Sequence, residues 1–228
     1  MRNIMIIIKK QLKDTLKNKT IFIQFILFPI MTLIMENAVN IEGMPPMFFT
    51  KLFSVMYIGM APITSVAAII SEEKEKNTLR VLMMANVKPW QYLIGVGIYV
   101  WAICMAGAGV MAAGLDENHI AVYLCVMGIG FVISIIAGAC IGIYAKNQMA
   151  ATSVVMPVMM VFSFAPMLSM FNDKIQKIAK ICHTQQLKGI LDNMSLENVS
   201  GESVIIIFVN AALFTVLFCT TYKRKGLE

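Results

Sequence analysis

Long apolar runs, each closed off by a short polar stretch, make up most of this chain. About 20 apolar residues are needed for a helix to cross the ~30 Å hydrocarbon core of a bilayer. Five runs reach that length, at residues 52–71, 89–114, 119–144, 149–171 and 203–222. A sixth, "TIFIQFILFPIMTLIM" at 20–35, reaches it with its flanks. Apart from His119 at an edge, none of these runs contains Asp, Glu, Lys, Arg or His. The pattern predicts an all-α, polytopic membrane protein in which residues 20–228 form a single six-span domain. An even number of spans puts both ends of the chain on one side.

Three polar stretches carry a pattern of their own. In residues 1–19, Ile4, Ile8, Leu12 and Leu16 recur every four residues, while Lys10, Lys13, Asp14 and Lys17 fall on another face. That predicts an amphipathic helix lying in the membrane interface, its lysines reaching anionic headgroups. The stretch is not a cleavable leader, because lysine breaks its apolar run after five residues and no small-residue cleavage site follows.

The second stretch, "SEEKEKNTLR" at 71–80, predicts a short helix over 71–83. Ser71 would cap it, Glu72, Glu73 and Glu75 would suit its positive end, and Lys76 sits four residues after Glu72. Leu79, Leu82 and Met83 supply an apolar stripe, and Pro89 starts the next span where its missing N–H costs nothing. Held between two spans, such a helix presents charge and a few apolar knobs. The third stretch, 172–195, places Ile175, Ile178, Ala179 and Cys182 on one helical face opposite Lys174, Lys177 and Lys180. It reads as an interfacial or re-entrant helical segment closing the outer mouth, with Ile175, Ile178 and Cys182 as candidate gate residues and the lysines snorkelling to headgroups.

Composition supports the membrane reading: 58% of residues are hydrophobic and only 14% charged, against about half and a quarter in soluble domains. The net charge of +6 does not form a nucleic-acid patch, since the basic residues are scattered among apolar runs. Fourteen of the nineteen Lys and Arg lie in residues 1–19, in the connections after spans two and four, and at 223–225. The opposite connections hold only Lys51, Lys174, Lys177, Lys180 and Lys188. The imbalance places both termini and the 71–83 helix in the cytoplasm.

Several chemistries lack their groups. Ion-coupled transport needs ionisable residues within the membrane, and hydrolysis at Ser134, Ser153 or Ser163 needs an activating base that no neighbouring span carries. The five cysteines lack disulfide or metal spacing, and Cys182 with His183 is half a metal site without a second half. Gly138 and Gly142 form a GxxxG pair, which serves either a dimer seam or packing within one subunit. Span five carries six methionines and two prolines. Met156, Pro157, Met160 and Pro166 mark it as a candidate apolar conduit, with lipid contact as the alternative.

The run "EEKEKNTLRVLMMANVKPWQYLIGV" resembles the connection between spans two and three of ABC-2-type transporter permeases, where E-K/R-E is followed by T-L and a further leucine. Glu73, Glu75, Thr78, Leu79 and Leu82 fall on those positions. Val96 departs from it where lysine is common, and so does Lys88-Pro89 where Pro-x-Ser is common. The layout, with an amphipathic first helix, six spans and a re-entrant segment before the last, is similar over essentially the whole chain. The resemblance implies that 71–83 is a coupling helix, with Glu72, Glu73, Glu75, Thr78, Leu79, Arg80 and Leu82 engaging a separate ABC ATPase. Two such ATPases would bind ATP and Mg, for this chain has no GxxxxGK[ST] phosphate loop. It further implies a second permease copy, location in a bacterial cytoplasmic membrane, and no catalysis by the chain itself. Similarity to small peptide, bacteriocin and phenol-soluble-modulin exporter permeases points to amphipathic or hydrophobic peptide cargo. A drug or lipid exporter permease, or a non-transporting immunity or scaffold protein, is the alternative.

Overall fold

A computed structural model describes residues 2–39, 43, 45–195 and 199–226. Its described residues form ten α-helices and no strand: α1 (Arg2–Lys17), α2 (Lys19–Ala38), α3 (Phe48–Glu75), α4 (Thr78–Met84), α5 (Pro89–Met111), α6 (Glu117–Tyr144), α7 (Gln148–Leu168), α8 (Asp173–Ala179), α9 (His183–Asn193) and α10 (Gly201–Lys225). Six of these, α2, α3, α5, α6, α7 and α10, are long and apolar enough to cross a membrane. The protein is therefore an all-α polytopic membrane protein with the six spans its hydropathy predicts.

The spans surround α3, most of whose length is buried while α10 buries none of its residues. Small residues make that arrangement possible. A Cβ on Gly138 would lie 2.6 Å from the Ile63 carbonyl oxygen, and one on Gly142 would lie 2.8 Å from Ile70 Cβ. The GxxxG face is thus spent within the subunit, where α6 meets α3 backbone to backbone. Gly59 serves the same purpose against α7, where a Cβ would meet the Phe162 carbonyl carbon at 2.6 Å. Hydroxyls tie these crossings together: Ser163 Oγ donates to Met56 O at 3.2 Å, and Tyr57 donates to Phe25 O at 3.1 Å.

Three expectations need correction. Ser71 does not cap a helix, because α3 runs on to Glu75 and the Ser71 hydroxyl donates to Ala68 O. The 71–83 helix is instead an elbow. The backbone turns at Lys76–Asn77, Asn77 takes a left-handed conformation (φ 56°), and α4 starts afresh at Thr78. Asparagine tolerates that region better than most residues, and Thr78 Oγ1 donates back to Glu73 O across the bend.

On α1 the face packed on the bundle is not the apolar stripe but the one beside it. Ile7, Gln11 and Thr15 are buried, whereas Leu12 and Leu16 are exposed. Ile7 drops onto Gly95 of α5, whose absent side chain leaves room for it. Span five ends at Leu168 rather than 171, since Asn172 caps the next helix by accepting from Lys174 N and Ile175 N. Lastly, the outer segment is two short helices. A turn at residues 180–182 ends α8, so Ala179 is buried while Ile178 faces away from the bundle, and Ile175, Ile178 and Cys182 do not share one helical face.

Candidate functional site

The charged connection after α3 is where the sequence predicts function, and its carboxylates have separate destinations. Glu73 is buried (6% exposed) and accepts from both Lys10 Nζ and Gln11 Nε2 on α1. Lys10 also pairs with Asp14 at 3.1 Å. Partial burial alone would lower the Lys10 pKa, but Glu73 and then Asp14 outweigh it and hold the ammonium above its usual range. A raised lysine pKa contributes stability at neutral pH that is lost only as pH climbs through the raised value. On α5 the Tyr92 hydroxyl is fully buried and has no hydrogen-bond partner among the described residues. Glu73 thus holds α1 against the end of α3, beside α5.

The other carboxylates reach elsewhere. Glu72 accepts from Asn18 Nδ2 (3.2 Å), at the junction of α1 and α2, and pairs with exposed Lys76. Glu75 accepts from the Gln148 backbone N–H (2.9 Å), the first residue of α7. A carboxylate there satisfies an N–H that has no partner within the helix and complements the helix dipole. Three neighbouring glutamates therefore join one elbow to α1, to the α1–α2 junction and to α7. A polar cavity of about 770 Å³ opens between α1 and the elbow, lined by Lys10, Gln11, Asp14, Glu72, Glu73 and Lys76 among others.

The seven residues named on this connection do not all face outward. Leu79 is buried (1% exposed), and Thr78 and Leu82 are half-buried, so these fasten α4 to the bundle. Arg80 is exposed. What α4 offers to its surroundings is Val81 and Met84, 63% and 80% exposed, which the motif did not single out. Sequence reasoning also missed Gln11 and Gln148. A polar pair, Gln11 and Thr15, one turn apart on the face of Ile7 was the available signal for the first; nothing local marks the second.

The remaining candidates divide. Met156, Pro157 and Met160 lie on an exposed face of α7, while Pro166 is buried. Met156 joins Glu75, Gln148, Thr152 and Ser153 in lining a cavity of about 630 Å³ next to the elbow. In the outer segment, Asn210 Nδ2 donates to Ile181 O well inside α10, and His183 packs between Phe162 and Phe214.

The same histidine bears on one exclusion. The absence of a base on the spans left Ser134 unpartnered, yet His183 Nε2 approaches its Oγ at 3.4 Å from the outer segment. Both residues are fully buried, His183 Nδ1 has no partner among the described residues, and no carboxylate orients the ring. The geometry lacks the oriented base that nucleophilic catalysis requires. Ser153 and Ser163 donate to backbone carbonyls of Met149 and Met56. No group of three or more metal-binding side chains occurs among the described residues.

No curated protein matches the sequence. Residues 2–221 match the family described as ABC-2 family transporter protein, and with nearly the whole chain covered, this protein belongs to that family as a permease of the ABC-2 type.

Proposed function

We propose that this chain is the transmembrane subunit of an ATP-driven exporter, and that the α3–α4 elbow couples it to a separate ATPase. Family membership makes it a membrane transport component that works with an ABC ATPase. The observation that carries the coupling role is the elbow itself. Its polar groups turn inward to α1, the α1–α2 junction and α7, while its short second limb offers Val81, Met84 and Arg80 outward. A push on α4 passes through Leu79 to the core and through three carboxylates to three other elements. Contact with the ATPase belongs to Val81 and Met84; Glu72, Glu73, Glu75, Thr78, Leu79 and Leu82 transmit.

In this reading both termini and the elbow are cytoplasmic, following the distribution of Lys and Arg, and the membrane is that of a bacterial cell. Two permease copies, identical or similar, work with two ATPases that supply ATP and Mg chemistry. Cargo is an amphipathic or hydrophobic peptide, for which the methionine face of α7 at Met156 and Met160 is a tolerant apolar wall. The α8–α9 hairpin, with Ile175, Ile178 and Cys182, closes the outer end. A drug or lipid cargo would use the same wall.

The double variant Val81→Glu, Met84→Glu tests the docking role. Both side chains are exposed, so the permease is expected to fold and insert normally. Co-purification of its ABC ATPase partner should fall at least about tenfold, since charges buried at an interface without partners cost several kcal/mol. Undiminished co-purification with undiminished export would remove α4 as the docking element.

A further inference from the structure

At the end of the bundle that carries α1 and α4, a third cavity of about 1090 Å³ opens between α4, the start of α5 and the end of α10. Among the described residues, four cations line it, Lys74, Arg80, Lys88 and Lys225, and no carboxylate does. None of the four joins an ion pair among the described residues. Lys74 Nζ donates to the Ile143 carbonyl (2.8 Å), and Lys225 Nζ sits 4.5 Å over the Tyr144 ring. These are neutral partners that position the charge without cancelling it.

An apolar groove lies one helical turn further along α5 and α10. Tyr222 on the cavity wall stacks on Phe218 at 6.1 Å, and Phe218 lines this groove of about 430 Å³ between α5, α6 and α10. Its α5 wall runs from Leu93 to Trp101, about 12 Å along the helix axis. One leaflet of a bilayer has about 15 Å of hydrocarbon. Gly97 opens the floor, and Ile94, Ile98 and Val132 leave it exposed to the surroundings of the bundle.

We propose that this composite site holds one anionic phospholipid, its phosphate among the four cations and an acyl chain in the groove. A basic pocket between spans at the membrane surface suits an acidic headgroup, and the groove supplies what a soluble anion would not use. A second copy of the chain presenting this face would set cations against cations. The lipid would brace α4 against α10, so the membrane's anionic content becomes an input to the elbow. The site does not depend on the coupling role or on which side of the membrane the termini occupy.

Native mass spectrometry of the full-length protein from nanodiscs holding phosphatidylglycerol and phosphatidylcholine in equal amounts tests this. Phosphatidylglycerol is expected to be retained with at least about tenfold preference. Lys88→Gln with Lys225→Gln should bring the preference close to parity, with the protein still monodisperse. Gly97→Leu fills the groove from a position where a Cβ meets Ile135 Cγ2 at an ordinary 3.6 Å; it should lower retention of both lipids. Equal retention of the two lipids by the unaltered protein overturns the proposal, as does retention that neither variant changes. Displacement by soluble glycerophosphate would mean a free-phosphate site and overturns it too. Loss of the ATPase, rather than of lipid, from the double-glutamine variant would assign the cavity to an acidic protein face instead.

Discussion

Glu73→Lys is expected to loosen α1 from the bundle and to reduce export at least about tenfold while the ATPase subunit still co-purifies. Glu73 is the acceptor for Lys10 and Gln11 and is itself buried. Reversing its charge sets two ammonium groups against each other at a position that is itself only 6% exposed. Breaking a buried pair costs about 3–5 kcal/mol, with the lower end appropriate here because Lys10 keeps partial exposure. The loss falls on the contact between α1 and α3 rather than on the packed spans, so insertion survives. Hydrogen exchange should show α1 amides losing protection before those of α3 or α6. Glu73→Gln, which keeps an acceptor for Lys10, should fall between the two. Exchanging the charges, Lys10→Glu with Glu73→Lys, should recover part of the export, which a merely misfolded protein could not do. If α1 protection and export were both unchanged in Glu73→Lys, the clamp would have no role in transmission.

That clamp shows what the sequence could and could not convey. The six spans were legible because each is a long run whose composition alone decides its environment. Their junctions were less so. "SEEKE" reads as the start of a helix by capping and charge, but in the fold it is the end of one, since Asn77 rather than Ser71 carries the bend. Capping preference is local, and a serine inside a helix can satisfy itself by donating to its own turn, as Ser71 does. The roles of the glutamates were hidden by distance along the chain. Glu73 meets residues 62 and 63 positions away, and Glu75 meets one 73 positions away. No periodicity within the connection encodes such partners. The motif singled out the charged connection, but which side chains face inward became readable only when α1 and α7 were in place. Val81 and Met84 were overlooked for a related reason: exposed apolar residues on a membrane protein look like more of the span.

The small-residue face of α6 leads to the largest structural effect. Gly138→Leu is expected to abolish recovery of folded, monodisperse protein, and Gly142→Ala to lower its thermal midpoint by a smaller amount. At Gly138 the added Cβ would stand 2.6 Å from Ile63 O and 3.0 Å from Ile63 Cα. Those atoms are backbone of the central helix and cannot swing aside as a flexible side chain would. Overpacking of ordinary cores costs about 1–3 kcal/mol when side chains can adjust; separating α3 from α6 forfeits packing along much of both helices, so the loss here exceeds that range. At Gly142 the closest atom is Ile70 Cβ at 2.8 Å, followed by Ala67 O at 3.2 Å, a contact that a small shift of α6 can relieve. A dimer seam on this face predicts a different result. Gly138→Leu would then yield a folded permease that sediments as a monomer and retains its thermal midpoint. The two outcomes are separated by measuring mass and melting on the same detergent-solubilised sample, and the α3–α6 crossing requires the melting, not merely the mass, to change.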